Sequence, residues 1–129
     1  MKVLSVTILG TLILIASAFG MGGDKPGPNG GFITMPGTYH VELVLKENKL
    51  RVYLLDLSMK NPTTKDSSVS LKLVSTDSKE INCSPEKNYF ICNNTNANME
   101  KIKAIEVKSI RNKVVGKIAT YKFPLKFEK

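Results

Sequence analysis

Three side chains in this sequence carry soft-ligand chemistry at a workable spacing: Met35, His40 and Met59. Thioether sulfur and neutral imidazole together suit a soft ion such as Cu(I). Met35 and His40 stand five positions apart around Pro36-Gly37, and Met59 follows the second of two strand-like stretches. If those stretches pair through a turn at Glu47, His40 falls near the end that carries Met59, and a Met-Met-His site becomes geometrically accessible. The blander reading is a lone surface histidine with methionines filling gaps in a core; on it the protein holds no cofactor. Nucleophilic chemistry has less to work with. Asp66, Ser67 and Ser68 are neighbours, but His40 is the one imidazole in the chain, and no oxyanion site is identifiable. The chain reads as non-enzymatic.

Two further sets of residues carry chemistry. Cys83 and Cys92 enclose eight residues with a turn signal between two short β-prone pieces, Glu80–Cys83 and Asn88–Cys92. In an oxidising compartment that spacing is a disulfide across a hairpin. Basic residues crowd the end of the chain: Lys101, Lys103, Lys108, Arg111, Lys113 and Lys117, followed by Lys122, Lys126 and Lys129, against Glu100, Glu106 and Glu128. Such a face fits an acidic envelope protein, an acidic polymer or anionic lipid. It lacks the interleaved aromatic residues of a single-strand nucleic-acid platform, so nucleic acid is not an expected partner. The competing reading is that lysines protect sheet edges from pairing with other chains.

These residues must be positioned by a small chain. It has 129 residues, 19 Lys and Arg against 11 Asp and Glu, a formal net charge of +8, 42% hydrophobic residues and no Trp. The first 20 residues read as a signal peptide: Met1-Lys2, an apolar run from Val3 to Ile15, then Ala16-Ser17-Ala18, with Ala18-Phe19-Gly20 as a second cleavage register. The run is too short to span a bilayer comfortably. The expectation is an exported protein, periplasmic or secreted, with no membrane anchor after processing.

Residues 21–37 hold six Gly and three Pro, which predicts a flexible leading segment whose end, Phe32 to Met35, forms a short edge strand. From Thr38 the apolar period is two. Tyr39, Val41, Leu43 and Leu45 alternate with His40, Glu42, Val44 and Lys46. Leu50 to Leu57 is apolar on both faces and predicts a central strand. Val69, Leu71 and Leu73 predict the next, and Lys101 to Ile110 and Val114 to Leu125 the last two, turned at Arg111-Asn112-Lys113. The adjacent apolar pair Ala104-Ile105 predicts a shift of register through a bulge. The sequons at Asn82 and Asn93 are read as loop signals. About seven short strands without a helix predict an all-β, immunoglobulin-like antiparallel sandwich over 38–129.

Several stretches make the chain resemble small exported β-sandwich domains of the YtkA-like and FixH-like kind. They are Gly30-Gly31, Gly37 to Val44, Leu50 to Asp56, Lys60-Asn61-Pro62 and Val114 to Ala119. Where such domains carry a His-Gly-Gly near the mature start, this chain has Asn29-Gly30-Gly31. The resemblance implies an envelope protein connected with copper or heavy-metal handling, acting as a binding or accessory module.

Overall fold

The computed structural model describes residues 25–46, 49–93 and 101–126. The expected leader lies outside them, as do Glu47, Asn48 and Lys129. Among the described residues there are ten β-strands and no α-helix: β1 (Phe32–Thr34), β2 (His40–Lys46), β3 (Lys49–Leu55), β4 (Ser68–Val74), β5 (Lys79–Asn82), β6 (Ser84–Pro85), β7 (Phe90–Cys92), β8 (Ala104–Arg111), β9 (Val114–Val115) and β10 (Ala119–Lys122). No helix here is long and apolar enough to cross a membrane. All pairings are antiparallel. They build two sheets: sheet A, in the order β1-β2-β3-β7-β6, and sheet B, in the order β10-β8-β4-β5 with β9 also on β8.

Period-two alternation makes this architecture. Val41 and Leu43 of β2, Leu50, Val52 and Leu54 of β3, and Phe90 and Cys92 of β7 turn inward from sheet A. They meet Val69, Leu71 and Leu73 of β4, Ile105 and Val107 of β8, and Ala119 and Tyr121 of β10. Each fully buried side chain of this size contributes about 1.5–3 kcal/mol by leaving water.

Several boundaries differ from the sequence reading, each for a physical reason. The strand count is ten rather than about seven, because β6 and β9 are two-residue pieces that alternation cannot detect. Leu45 continues the inward alternation in sequence but is exposed, whereas Glu42, on the supposedly polar face, is fully buried. β3 is central and buried on both faces as expected, yet it ends at Leu55, and Leu57 is 63% exposed. Lys79–Asn82 is not an arm of the cysteine hairpin. It pairs with β4 in sheet B, and the hairpin is Ser84–Pro85 against Phe90–Ile91. The expected final strand is interrupted between Val115 and Ala119. No bulge occurs at Ala104-Ile105: β8 pairs residue for residue with β4 and β10 from Ala104 onward, and the buried Ile102 lies before the strand begins.

The two open sides of the sandwich are each closed by a link. On one side the chain passes from β5 to β6, from sheet B to sheet A, through Cys83. Its amide still bonds Val69 O of sheet B at 3.1 Å, while its Sγ lies 2.05 Å from that of Cys92 in sheet A. On the other side Tyr121 of β10 donates to Val41 O of β2 at 2.8 Å and shares a 3.0 Å hydrogen bond with Thr34 of β1. Burial raises the Tyr121 phenol above its ordinary pKa, so it remains a donor across the physiological range.

Candidate functional site

His40 opens β2 opposite Leu55, the last residue of β3. Its Nδ1 lies 3.1 Å from the Asp56 carbonyl oxygen. A carbonyl only accepts, so Nδ1 is the donor in this contact and Nε2 is the nitrogen left for any other partner. Thr34 pairs with Val41 as the last pair of the β1–β2 ladder, Met35 and His40 each lie one residue beyond it, and both Met35 and Met59 are exposed. Met59 sits in the loop that Asp56 organises. The Asp56 carboxylate accepts from the Lys60 amide at 2.9 Å, the Asn61 side-chain amide at 2.8 Å and the Ser58 amide at 2.9 Å. These donors hold its carboxyl below the ordinary carboxylate range. The fold thus ties His40 to the Met59 loop. Among the described residues no three His, Cys, Asp or Glu side chains gather into a metal-holding group.

Ser67, beside Asp66, serves a turn, and Ser68 opens β4. Ser67 Oγ donates to Lys65 O at 2.7 Å and accepts from the Asn112 amide at 3.0 Å.

A buried carboxylate stands on the outer face of sheet A. Glu42 accepts from the Gly31 amide at 2.7 Å, the Asn29 amide at 2.9 Å and the Asn29 side-chain amide at 2.9 Å. The donors come from a turn in which the Gly30 amide bonds Gly27 O and the Gly27 amide bonds Gly31 O. Gly31 has to be glycine at this approach: a Cβ there would lie 2.5 Å from Leu43 O and 3.0 Å from Glu42 Cγ. The leading segment from Lys25 onward is therefore fastened to β2 through a residue that alternation assigned to solvent. Nothing in the local pattern around Glu42 marks this, because its partners lie 11 and 13 positions away.

The basic residues separate into groups. β8 runs roughly 20 Å from Ala104 to Arg111, which leaves Lys101 and Lys103 at one end of it and Lys113 at the other. Arg111 is half-buried, its guanidinium donating to Leu54 O at 3.2 Å and Asn61 O at 2.7 Å. It joins the two sheets rather than facing a partner. Lys108 and Lys117 come together through a bulge. Ile110 pairs with Val115 and Val107 with Ala119, so Gly116, Lys117 and Ile118 face only Lys108 and Ser109. The extra residue re-aims the strand. Gly116 passes beneath Tyr39, whose hydroxyl shares a 2.8 Å hydrogen bond with Ser109 Oγ and occupies the place a Cβ on Gly116 would take. Lys117 and Ile118 both line a groove of about 640 Å³ on the outer face of sheet B, with Lys108, Ser68, Ser70 and Asn82. The sequence signal for this bulge was the single glycine inside a strand pattern.

No family profile, curated protein or solved structure matches this chain.

Proposed function

We propose that this chain is an exported, non-enzymatic binding or accessory module of the bacterial envelope. In this reading it is an immunoglobulin-like sandwich released from a leader at residues 1–20, and it docks an acidic partner in the groove on sheet B. The observation that carries the reading is the bulge at Gly116–Ile118, which sets Lys117 beside Lys108 in a groove otherwise lined by hydroxyl, amide and aliphatic groups. Two ammonium groups over Ser70 and Asn82 suit a carboxylate-bearing segment, and they make association salt-dependent. Retention on immobilised poly-glutamate tests this, followed by capture from envelope extracts. K108E/K117E is expected to weaken retention by at least about tenfold, and K101E/K103E, at the far end of β8, to leave it unchanged. Equal losses from the two double variants would mean that net charge, not the groove, governs binding.

One observation favours a second reading, a soft-metal site at Met35, His40 and Met59. A metal-binding imidazole commonly donates its other N–H to a carbonyl, and the His40–Asp56 contact has that form. The resemblance to YtkA-like and FixH-like domains points the same way. Cu(I) titration against a chromophoric competitor decides it. Copper withdrawal that His40→Ala and Met59→Ala both weaken supports the site, and no competition at micromolar protein removes it.

A further inference from the structure

We propose that the loop-bearing end of the sandwich is a docking face for an anionic lipid surface. Three segments meet there: the β1–β2 connection, the β3–β4 connection, and the stretch from Asn112 to Ile118. Of the seven large apolar side chains exposed among the described residues, five stand at this end: Met35, Leu57, Met59, Val114 and Val115, up to 73% exposed at Val115, while Ile118 lies in the groove on the outer face of sheet B. Leu45, the seventh, lies at the far end of β2. A patch gathered at one end in this way marks an interaction surface rather than the scatter ordinary on a soluble domain.

The same end is held in place. Every non-glycine residue with positive φ among the described residues lies there: Met59, Asn61, Asp66, Asn112 and Lys113. Such conformations persist where surrounding bonds over-determine them, and they gather at functional sites. Here the Lys113 amide bonds Asp66 O at 2.8 Å, the Asn112 amide bonds Ser67 Oγ, Arg111 reaches Asn61 O, and the Lys117 amide bonds Pro36 O at 3.2 Å. The apolar tips are presented by a cross-tied platform, so little ordering remains for binding to pay.

Charge and composition select the partner. Lys60, Lys65, Lys113 and Lys117 are exposed on these loops, opposed by Asp66, while Asp56 and Arg111 are engaged within the platform. Surfaces that dock proteins favour Tyr, Trp and Arg and disfavour Lys. The three segments expose no aromatic residue: Tyr39, at the end of the β1–β2 connection, is buried, and none occurs from Asp56 to Ser67 or from Asn112 to Ile118. Aliphatic and thioether tips ringed by lysines suit a fluid surface, where the tips enter the acyl boundary and the ammonium groups reach headgroup phosphates. The docking face is the end of the molecule rather than the groove, although Val115 and Lys117 border both.

Cosedimentation of the full chain with phosphatidylcholine vesicles, with and without phosphatidylglycerol, tests it. Binding is expected with the anionic vesicles only and is expected to weaken as salt rises. Neutralising Lys60, Lys65 or Lys113 to Gln should cost about fivefold each. L57S/M59S should weaken binding about tenfold or more, with thermal unfolding unchanged because both side chains are exposed. K108E, which disables the groove, should leave vesicle binding intact. Residues 1–24 are common to all variants, so differences among them report the loops. Absence of anionic-vesicle binding at low salt overturns the proposal, as does binding that L57S/M59S leaves undiminished. Retention on poly-glutamate that depends on Lys60, Lys65 and Lys113, with vesicles ignored, would assign the face to a protein partner and also overturn it.

Discussion

All three hydrogen bonds to the Glu42 side chain arrive from donors, and this makes the residue hard to replace. Glutamine keeps the shape, but one of the two oxygen positions becomes an NH₂, which faces either the Asn29 and Gly31 amides or the Asn29 side-chain NH₂. Glu42→Gln is expected to lower stability by about 2 kcal/mol in denaturant unfolding, the scale for losing charge-assisted bonds and setting a buried donor against another donor. Hydrogen exchange should quicken first at the Asn29 and Gly31 amides, because a neutral oxygen replaces the charged one that accepts from both. A variant as stable as the parent, with unchanged protection there, would mean that the leading segment is held by something else. The Asp56 carboxylate plays the comparable part in an exposed loop, collecting Lys60, Asn61 and Ser58 donors so that Met59 and Leu57 are carried on a defined turn.

At the level of the strands, two short interruptions do the positioning. The β5–β6 passage uses Cys83 to leave sheet B for sheet A, with Cys92 opposite it at a Cα separation of 4.3 Å. The cross-link spans nine positions, and closing a loop of that size contributes about 2.7 kcal/mol on the chain-entropy account. C83S/C92S should lose roughly that amount in urea unfolding, and reductant should reproduce the loss in the parent protein. Equal stability of oxidised and reduced protein would show that the β5–β6 corner is held by its backbone bonds alone. The second interruption is the bulge between β9 and β10. One inserted residue turns Gly116 inward beneath Tyr39 and leaves Lys117 and Ile118 together on the groove. Without it, an uninterrupted strand would alternate them to opposite faces.

For the molecule as a whole, the positive charge concentrated in the last third of the sequence does not become one basic face. β8 divides it: Lys101 and Lys103 go to one end, Lys113 to the other, Lys108 to the outer face of sheet B, and Arg111 partly into the structure. The exposed apolar residues follow the opposite course. They are dispersed in sequence from Met35 to Val115, yet the topology collects five of them at one end, with Ile118 left on the groove.

Alternation was enough to identify an all-β chain, a central strand near Leu50 to Leu55 and the inward rows of β4 and β8, because burial of one sheet face imposes a period that local sequence records. The cysteine spacing likewise sufficed to pair Cys83 with Cys92. Other features had no local record. The fate of Glu42 depends on a turn folding back from Gly27–Gly31, the β5–β6 switch on which sheet had a free edge, and the Lys108–Lys117 groove on a one-residue mismatch between two strands. The gathering of Met35, Leu57, Val114 and Val115 depends on which ends of the two sheets face the same way. Each is a relation between residues distant in sequence, set by the packing of one sheet on the other and invisible to any period read along the chain.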